Sequence, residues 1–324
     1  MCLLQCNITA QCHAWLTGSA VCQLFVCIRQ QNGLSCRRHV VNQAAFLNLV
    51  PSIAEKPLPV VFLGHGSPMN AIEDNEFHQG WVELGAQFGA DKRWPTPRLV
   101  LCVSAHWLTR GWQITANLQP PTIHDFGGFP KALFEQQYPA PGHPAAAREI
   151  ADYLGQGEKP IVVSQSTDWG LDHGCWSVLK PMFPKADIPV LQLSIDGTRS
   201  ATEHFAAGQK MRALRHQGVL IVASGNTVHN LGALQMHMGN HEAVEWAKSF
   251  DAWTADRISA HALADLAAFE QRGQEARLAH PSTEHFLPLL YAAGAANADD
   301  AVHYFNTGFQ LGSIAMRSVV WDGV

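Results

Sequence analysis

The chain has 324 residues, 47% hydrophobic and only 15% charged, so it can bury a large core and is neither disordered nor fibrous. Its formal net charge of −5, with no basic run longer than Arg37-Arg38, removes the electrostatic case for nucleic acid or an anionic membrane and leaves a small molecule as the expected partner. Seventeen histidines against four tyrosines raise the expectation of a metal or acid/base site, because histidine is the commonest metal ligand and titrates near neutral pH.

Residues 1–56 differ in kind from the remainder of the chain. Six of the eight cysteines (Cys2, Cys6, Cys12, Cys22, Cys27 and Cys36) fall there, without a CxxC pair that would suit a zinc knuckle. The segment shows neither helical nor alternating periodicity and ends in the loop-like stretch 51–57, so it reads as an atypical N-terminal extension, disordered or an over-long reading of the start of the gene. Its apolar piece, residues 16–28, is broken by Gly18 and Ser19 and falls short of the about 20 apolar residues a membrane span needs. No basic region precedes that piece and no cleavage site follows it, which is a poor fit to a signal peptide. Cys102 and Cys175 stand alone in apolar surroundings, so no disulfide framework is expected in residues 57–324, in keeping with a cytoplasmic location.

From residue 59 onward strands and helices alternate. Strands are expected over 60–63, 98–105, 114–117, 161–163, 189–195 and 218–224; helices over 75–88, 144–154, 174–182, 201–216, much of 242–272, and 283–296 with Ser282 or Thr283 as N-cap. The tail over 302–321 reads as a strand pair closing the sheet. Continuous apolar runs such as Leu99-Val100-Leu101-Cys102-Val103 suit strands buried on both faces of a parallel sheet. The expected fold is therefore a single α/β domain with three layers, α/β/α, around a mostly parallel mixed sheet. The long loop 119–130, rich in turn formers and aromatics, is a functional candidate by its length alone.

Three apolar runs stop at a histidine: His65 after Leu63-Gly64, His106 after Ser104-Ala105, and His229 a few residues past Ser224. If those strands are parallel, their C-terminal ends share one edge of the sheet, where open α/β folds place their chemistry. A fourth, His285, opens the helix expected from 283 and faces the same edge. Converging imidazoles each carry a nitrogen needing a partner, and one divalent metal satisfies them together. Gly64 and Gly66 flank His65 and are expected to clear space for that metal and its substrate.

The strings LGHGSPMNAIEDN, VSAHW, PPTIHDFGGFP, YPAPG, DWGLDHGCW, LQLSID, ASGNTVHNL and HPSTEHFLPLLYAAGA, in this order, resemble the class III (LigB-like) extradiol ring-cleavage dioxygenases, in the branch of the 4,5-DOPA dioxygenases. The resemblance covers about residues 59–320 and marks 57–324 as a catalytic domain. It implies a single non-haem metal held by His65, His106 and His285, with His229 either a fourth ligand or an acid/base. It makes His173 a histidine beside the metal that handles substrate, and assigns the cofactor as one divalent metal per chain, Fe(II) for activity with Zn(II) filling the site in isolated protein. The wider superfamily uses two histidines and a carboxylate, so Glu284 stands as the alternative to His285. His229 and His173 are the expected catalytic pair, and His124, Asp125 and Phe129 the expected substrate contacts in an aromatic lid. The partners implied are a catechol and O2, with no nucleic acid and no membrane, in a monomer or small homo-oligomer; the product class is a muconic semialdehyde.

Two other readings compete. An all-histidine site favours Zn2+ on affinity, which points to a mononuclear zinc hydrolase. A metal-bearing binding protein without turnover would leave the acid/base histidines idle. A metallophosphoesterase is disfavoured, since its paired metals need bridging carboxylates and Gly225-Asn226-Thr227-Val228-His229 lacks the Gly-Asn-His sequence of such sites.

Overall fold

The computed structural model describes residues 57–323 and, before them, three strands: Ile8–Gln11, Cys22–Gln30 and Gly33–Val41. The chain divides into two units, Met1–Phe46 and Leu47–Val324. The three early strands form an antiparallel sheet in sequence order. This departs from the sequence reading, which gave the segment no regular structure; strands adjacent in sequence pair locally, and such pairing needs no alternating pattern. The rest of residues 1–56, and the disorder expected there, lie outside the described residues.

The second unit is built on a six-stranded sheet in the order Ala301–Phe305, Ser318–Asp322, Val60–Gly64, Val219–Gly225, Leu99–Ser104, Val190–Gln192. The last four are mutually parallel, and the first two pair antiparallel at one edge. The expected mostly parallel mixed sheet and closing strand pair are therefore present. Every residue of the three central strands is buried, as the unbroken apolar runs require of a sheet covered on both faces.

One face, carrying Val61, Leu63, Val100, Cys102, Leu220 and Val222, packs against Phe77 and Trp81 of the helix Glu76–Gly85 and Trp176, Val178 and Leu179 of the helix His173–Met182. Across the sheet lie the paired helices Ala201–Met211 and Leu287–Ala295, the second buried along its whole length. Cys102 and Cys175 are free and buried.

Boundaries shifted where tertiary contacts intervene. The run 189–195 splits into Val190–Gln192 and Ile195–Asp196, because Ser194 N donates to Gln113 O (2.8 Å) and the chain leaves the main sheet to pair with Leu108–Thr109. The helix expected from 283 begins at Leu287, with Phe286 rather than Ser282 or Thr283 at its N-cap. Pro288 explains the start, since proline fits only the first turn of a helix. The four residues before it form a turn, Phe286 and Leu287 N donating to Thr283 O. No helix among the described residues is long and apolar enough to cross a membrane.

Candidate functional site

Parallel pairing aligns the strand ends in register, Gly64 opposite Gly225 and Ser104 opposite Ser224. The sheet hydrogen bonding continues one step beyond each end. His65 N donates to Gly225 O (3.0 Å), and Ala105 N to Ser224 O (3.0 Å). His65 and His106 are thus delivered side by side across the Val219–Gly225 strand, with Nε2 of one 3.3 Å from Nε2 of the other. His285 reaches the same edge from the turn before Leu287, because its carbonyl accepts from Asn226 N at 2.8 Å. One nitrogen from each of His65, His106 and His285 falls within 4.8 Å of the others.

The far nitrogens of the three rings all meet an oxygen. His65 Nδ1 lies 3.0 Å from Ser224 Oγ, His285 Nδ1 3.2 Å from Glu284 Oε1, and His106 Nδ1 3.3 Å from Asp125 Oδ2. Ligating histidines are oriented in this way, with the outer nitrogen held by an oxygen and the inner lone pair left for the ion. His285 Nε2 is buried and has no hydrogen-bond partner. Two nitrogens sharing an ion at about 2.0–2.1 Å with a tetrahedral angle sit roughly 3.3 Å apart, which matches the His65–His106 separation. The donor set therefore fits a single divalent ion.

Burial, then repulsion among the histidines, holds His65 and His285 far below the ordinary imidazole value. Burial and the neighbouring His173 lower His106 to about 3 against an opposing pull from Asp125, and burial lowers His229 to about 4. All four are neutral at pH 7, so each offers a lone pair.

His229 behaves differently. Its backbone N–H donates to Ala279 O (2.9 Å) and its ring lies flat on that of His285, centroids 3.5 Å apart and planes within 4°. An ion in the plane of one ring would lie well out of the plane of the other. His229 belongs to neither group of residues that could hold an ion, and Glu284 is turned to the outer nitrogen of His285. His173 caps the site from the start of its helix, ring centroid 3.8 Å from that of His106. Its backbone N–H donates to Asp125 Oδ1 at 2.9 Å, and its Nδ1 lies 2.9 Å from the same oxygen, close but out of line for a hydrogen bond. The group His106, Asp125 and His173 is also compact enough to hold an ion.

The loop 119–130 supplies the aromatic wall. Phe126 stands edge-on to His173 (5.4 Å between centroids) and packs on Phe129 (5.5 Å), Phe134 (5.0 Å) and Trp176 (6.3 Å). Of the three expected substrate contacts, Phe129 lies in this wall, Asp125 is engaged by histidines, and His124 is tied to the loop's own backbone, Nε2 2.9 Å from Gln136 O. Ser224 and Trp176 escape sequence reasoning; the signal for Ser224 is its place at the end of the central strand. The space expected to be cleared by Gly64 and Gly66 is elsewhere. A Cβ on Gly64 would lie 2.5 Å from the backbone C and O of Met316, and one on Gly66, at φ +55, would strike the Gln310 and Met316 side chains. Both glycines admit the 308–316 segment behind His65 rather than a metal in front of it.

Residues 59–314 match the family described as catalytic LigB subunit of aromatic ring-opening dioxygenase. A protein of Escherichia coli K12 named 4,5-DOPA dioxygenase extradiol is 43% identical over 269 residues, covering 81% of this chain and 94% of its own length. One of the same name from Beta vulgaris is 34% identical over 259 residues, covering 79% and 94%. The crystal structure of an uncharacterized protein from Escherichia coli K12 superposes with a TM-score of 0.66 at 37% identity, covering 81% of this chain and 99% of that one. With a match across most of its length and the family's fold, this chain belongs to the LigB family of aromatic ring-opening dioxygenases.

Proposed function

We propose that the chain is an extradiol dioxygenase that opens the ring of a DOPA-like catechol with O2 to a muconic semialdehyde, using one divalent metal ion. The observation that carries this is the convergence of His65, His106 and His285 nitrogens, each ring backed by an oxygen on its far side. The names of the relatives in Escherichia coli and Beta vulgaris support the DOPA-like side chain. These three histidines would hold the ion, Fe(II) in the active enzyme and Zn(II) in protein isolated in air. Such an ion supplies open positions at which a catecholate and O2 can meet.

The chain's own residues move the protons and shape the cavity. His173 and His229 both lie against the trio, one against the His106 ring and one against the His285 ring. One takes a catechol proton and the other returns a proton as the ring opens. His229, lowered to about 4, is a neutral acceptor at pH 7. The stacking argues for His229 as this acid/base and not as a fourth ligand, and the outward turn of Glu284 argues for His285 on the metal. Phe126 and Phe129 offer the catechol ring an apolar wall. Two free buried thiols suit a reducing, cytoplasmic setting.

Anaerobic reconstitution with Fe(II), followed by air and a catechol, tests the reading. The expected result is O2 uptake with a yellow ring-opened product. No uptake with any of several catechols would sink it, and ester or amide hydrolysis by the Zn(II) form would establish the zinc hydrolase instead.

A further inference from the structure

The loop 119–130 sends one carboxylate into the site, and that carboxylate touches two histidines of different duty. Asp125 Oδ2 lies 3.3 Å from His106 Nδ1, and Oδ1 lies 2.9 Å from His173 Nδ1 while accepting the His173 backbone N–H at 2.9 Å. The side chain is only 19% exposed. We propose that Asp125 is a positioning residue, a single carboxylate that fixes the orientation and tautomer of both His106 and His173, so that holding the metal and moving the substrate proton depend on one group. The inference rests on the function proposed above and deepens it.

Electrostatics fixes the tautomers. An imidazole nitrogen this close to a carboxylate favours carrying its hydrogen, because the negative charge attracts an N–H dipole and repels a lone pair even where the N–H is not aimed at the oxygen. Both rings are therefore protonated on Nδ1, and each keeps its lone pair on Nε2. For His106 that is the nitrogen facing His65 Nε2 at 3.3 Å, the one that meets the ion. For His173 it is the nitrogen left to accept a proton.

His65 and His285 draw on separate oxygens, Ser224 Oγ and Glu284 Oε1, whereas Asp125 lies directly against a ring of the trio and against His173. Both of its oxygens lie against histidines. It also anchors the aromatic wall, because the next residue, Phe126, stands against the ring of His173.

The test uses the full chain and its Asp125→Asn variant, which keeps the shape and an acceptor for His173 N–H but loses the charge. Zn(II) affinity of the metal-free proteins is measured by competition with a chromophoric chelator, and kcat and KM of the Fe(II)-loaded proteins with a catechol. A fall of roughly 10–100-fold in Zn(II) affinity and a comparable fall in kcat, with KM within about threefold, is the expected result. Ring 15N NMR of the native Zn(II) form, which needs no variant, should show His106 and His173 both protonated on Nδ1. Unchanged Zn(II) affinity, Nε2–H tautomers, or a KM raised about tenfold with kcat kept would each overturn the proposal, the last by making Asp125 a substrate contact. The Zn(II) and NMR arms need no turnover, so a native chain that binds Zn(II) yet opens no catechol would defeat the functional reading while these arms still decide Asp125.

Discussion

An imidazole has two nitrogens, and a site built from several of them works only if each ring is told which one to offer. At His65 and His285 the instruction comes from the side chains of Ser224 and Glu284. Removing a member of the trio should therefore differ in kind from removing a neighbour. His65→Ala or His106→Ala is expected to abolish stoichiometric Zn(II) binding, measured calorimetrically. His173→Ala should retain the metal and lose rate, by about 100-fold or more if it moves a proton in the limiting step; an empty site in that variant would place His173 on the ion. The glycine before His65 makes a separate prediction. In Gly64→Ala the new methyl meets the Met316 backbone at 2.5 Å, where no rotamer change gives relief, so the unfolding midpoint in urea should drop by the equivalent of roughly 1–3 kcal/mol. An unchanged midpoint would mean that the segment can shift freely.

At the scale of elements, the three parallel strands and the loop 119–130 divide the labour between holding and covering. The loop is fixed by Ile123 N donating to Leu171 O (2.7 Å) and Trp176 Nε1 donating to Ile123 O (2.9 Å), so its aromatic residues form a wall with a set position. Phe126→Ala should leave Zn(II) affinity intact and raise the KM for a catechol roughly fivefold, the worth of one aromatic contact; a loss of metal affinity instead would show that the loop's packing, not its face, was removed. Much of this was legible in the sequence. Apolar runs that stop at histidines announce buried strands and their loaded ends, and parallel pairing then forces His65 and His106 together. Less was legible wherever a position depends on a distant partner: the start of the last helix at Leu287, the two-residue break at Leu193 and Ser194, and the service of Ser224 to His65. The purpose of Gly64 is hidden for the same reason, since its neighbour in space, Met316, is remote in sequence.

For the molecule as a whole, histidines buried outside the trio make acid a hazard. His204, wholly buried with Nδ1 2.8 Å from Tyr291 Oη, and His280, with Nε2 2.8 Å from Thr227 O, are each lowered by burial to about 4. The folded chain refuses protons that the unfolded chain accepts near 6.5, so their contribution is full above pH 6.5, declines as pH falls, and is gone near pH 4. The gap corresponds to roughly 3 kcal/mol per histidine. The urea midpoint of the metal-free protein should fall between pH 7 and pH 4.5, and His204→Asn should flatten the slope; equal slopes would remove His204 from the account.

The close approach at Gly64 bears on the order of events during synthesis. The Gly64 N–H is held by Ser318 Oγ (3.1 Å), and the Ser318–Asp322 strand forms the neighbouring edge of Val60–Gly64. His65 thus leaves the ribosome long before the shelf behind it exists, and Ser224 and His285 emerge in between. The first of the three clustered histidines to be made thus waits for one of the last strands. The group His65, His106 and His285 is therefore complete, with its backing strand in place, only after residues 285–318 have been made.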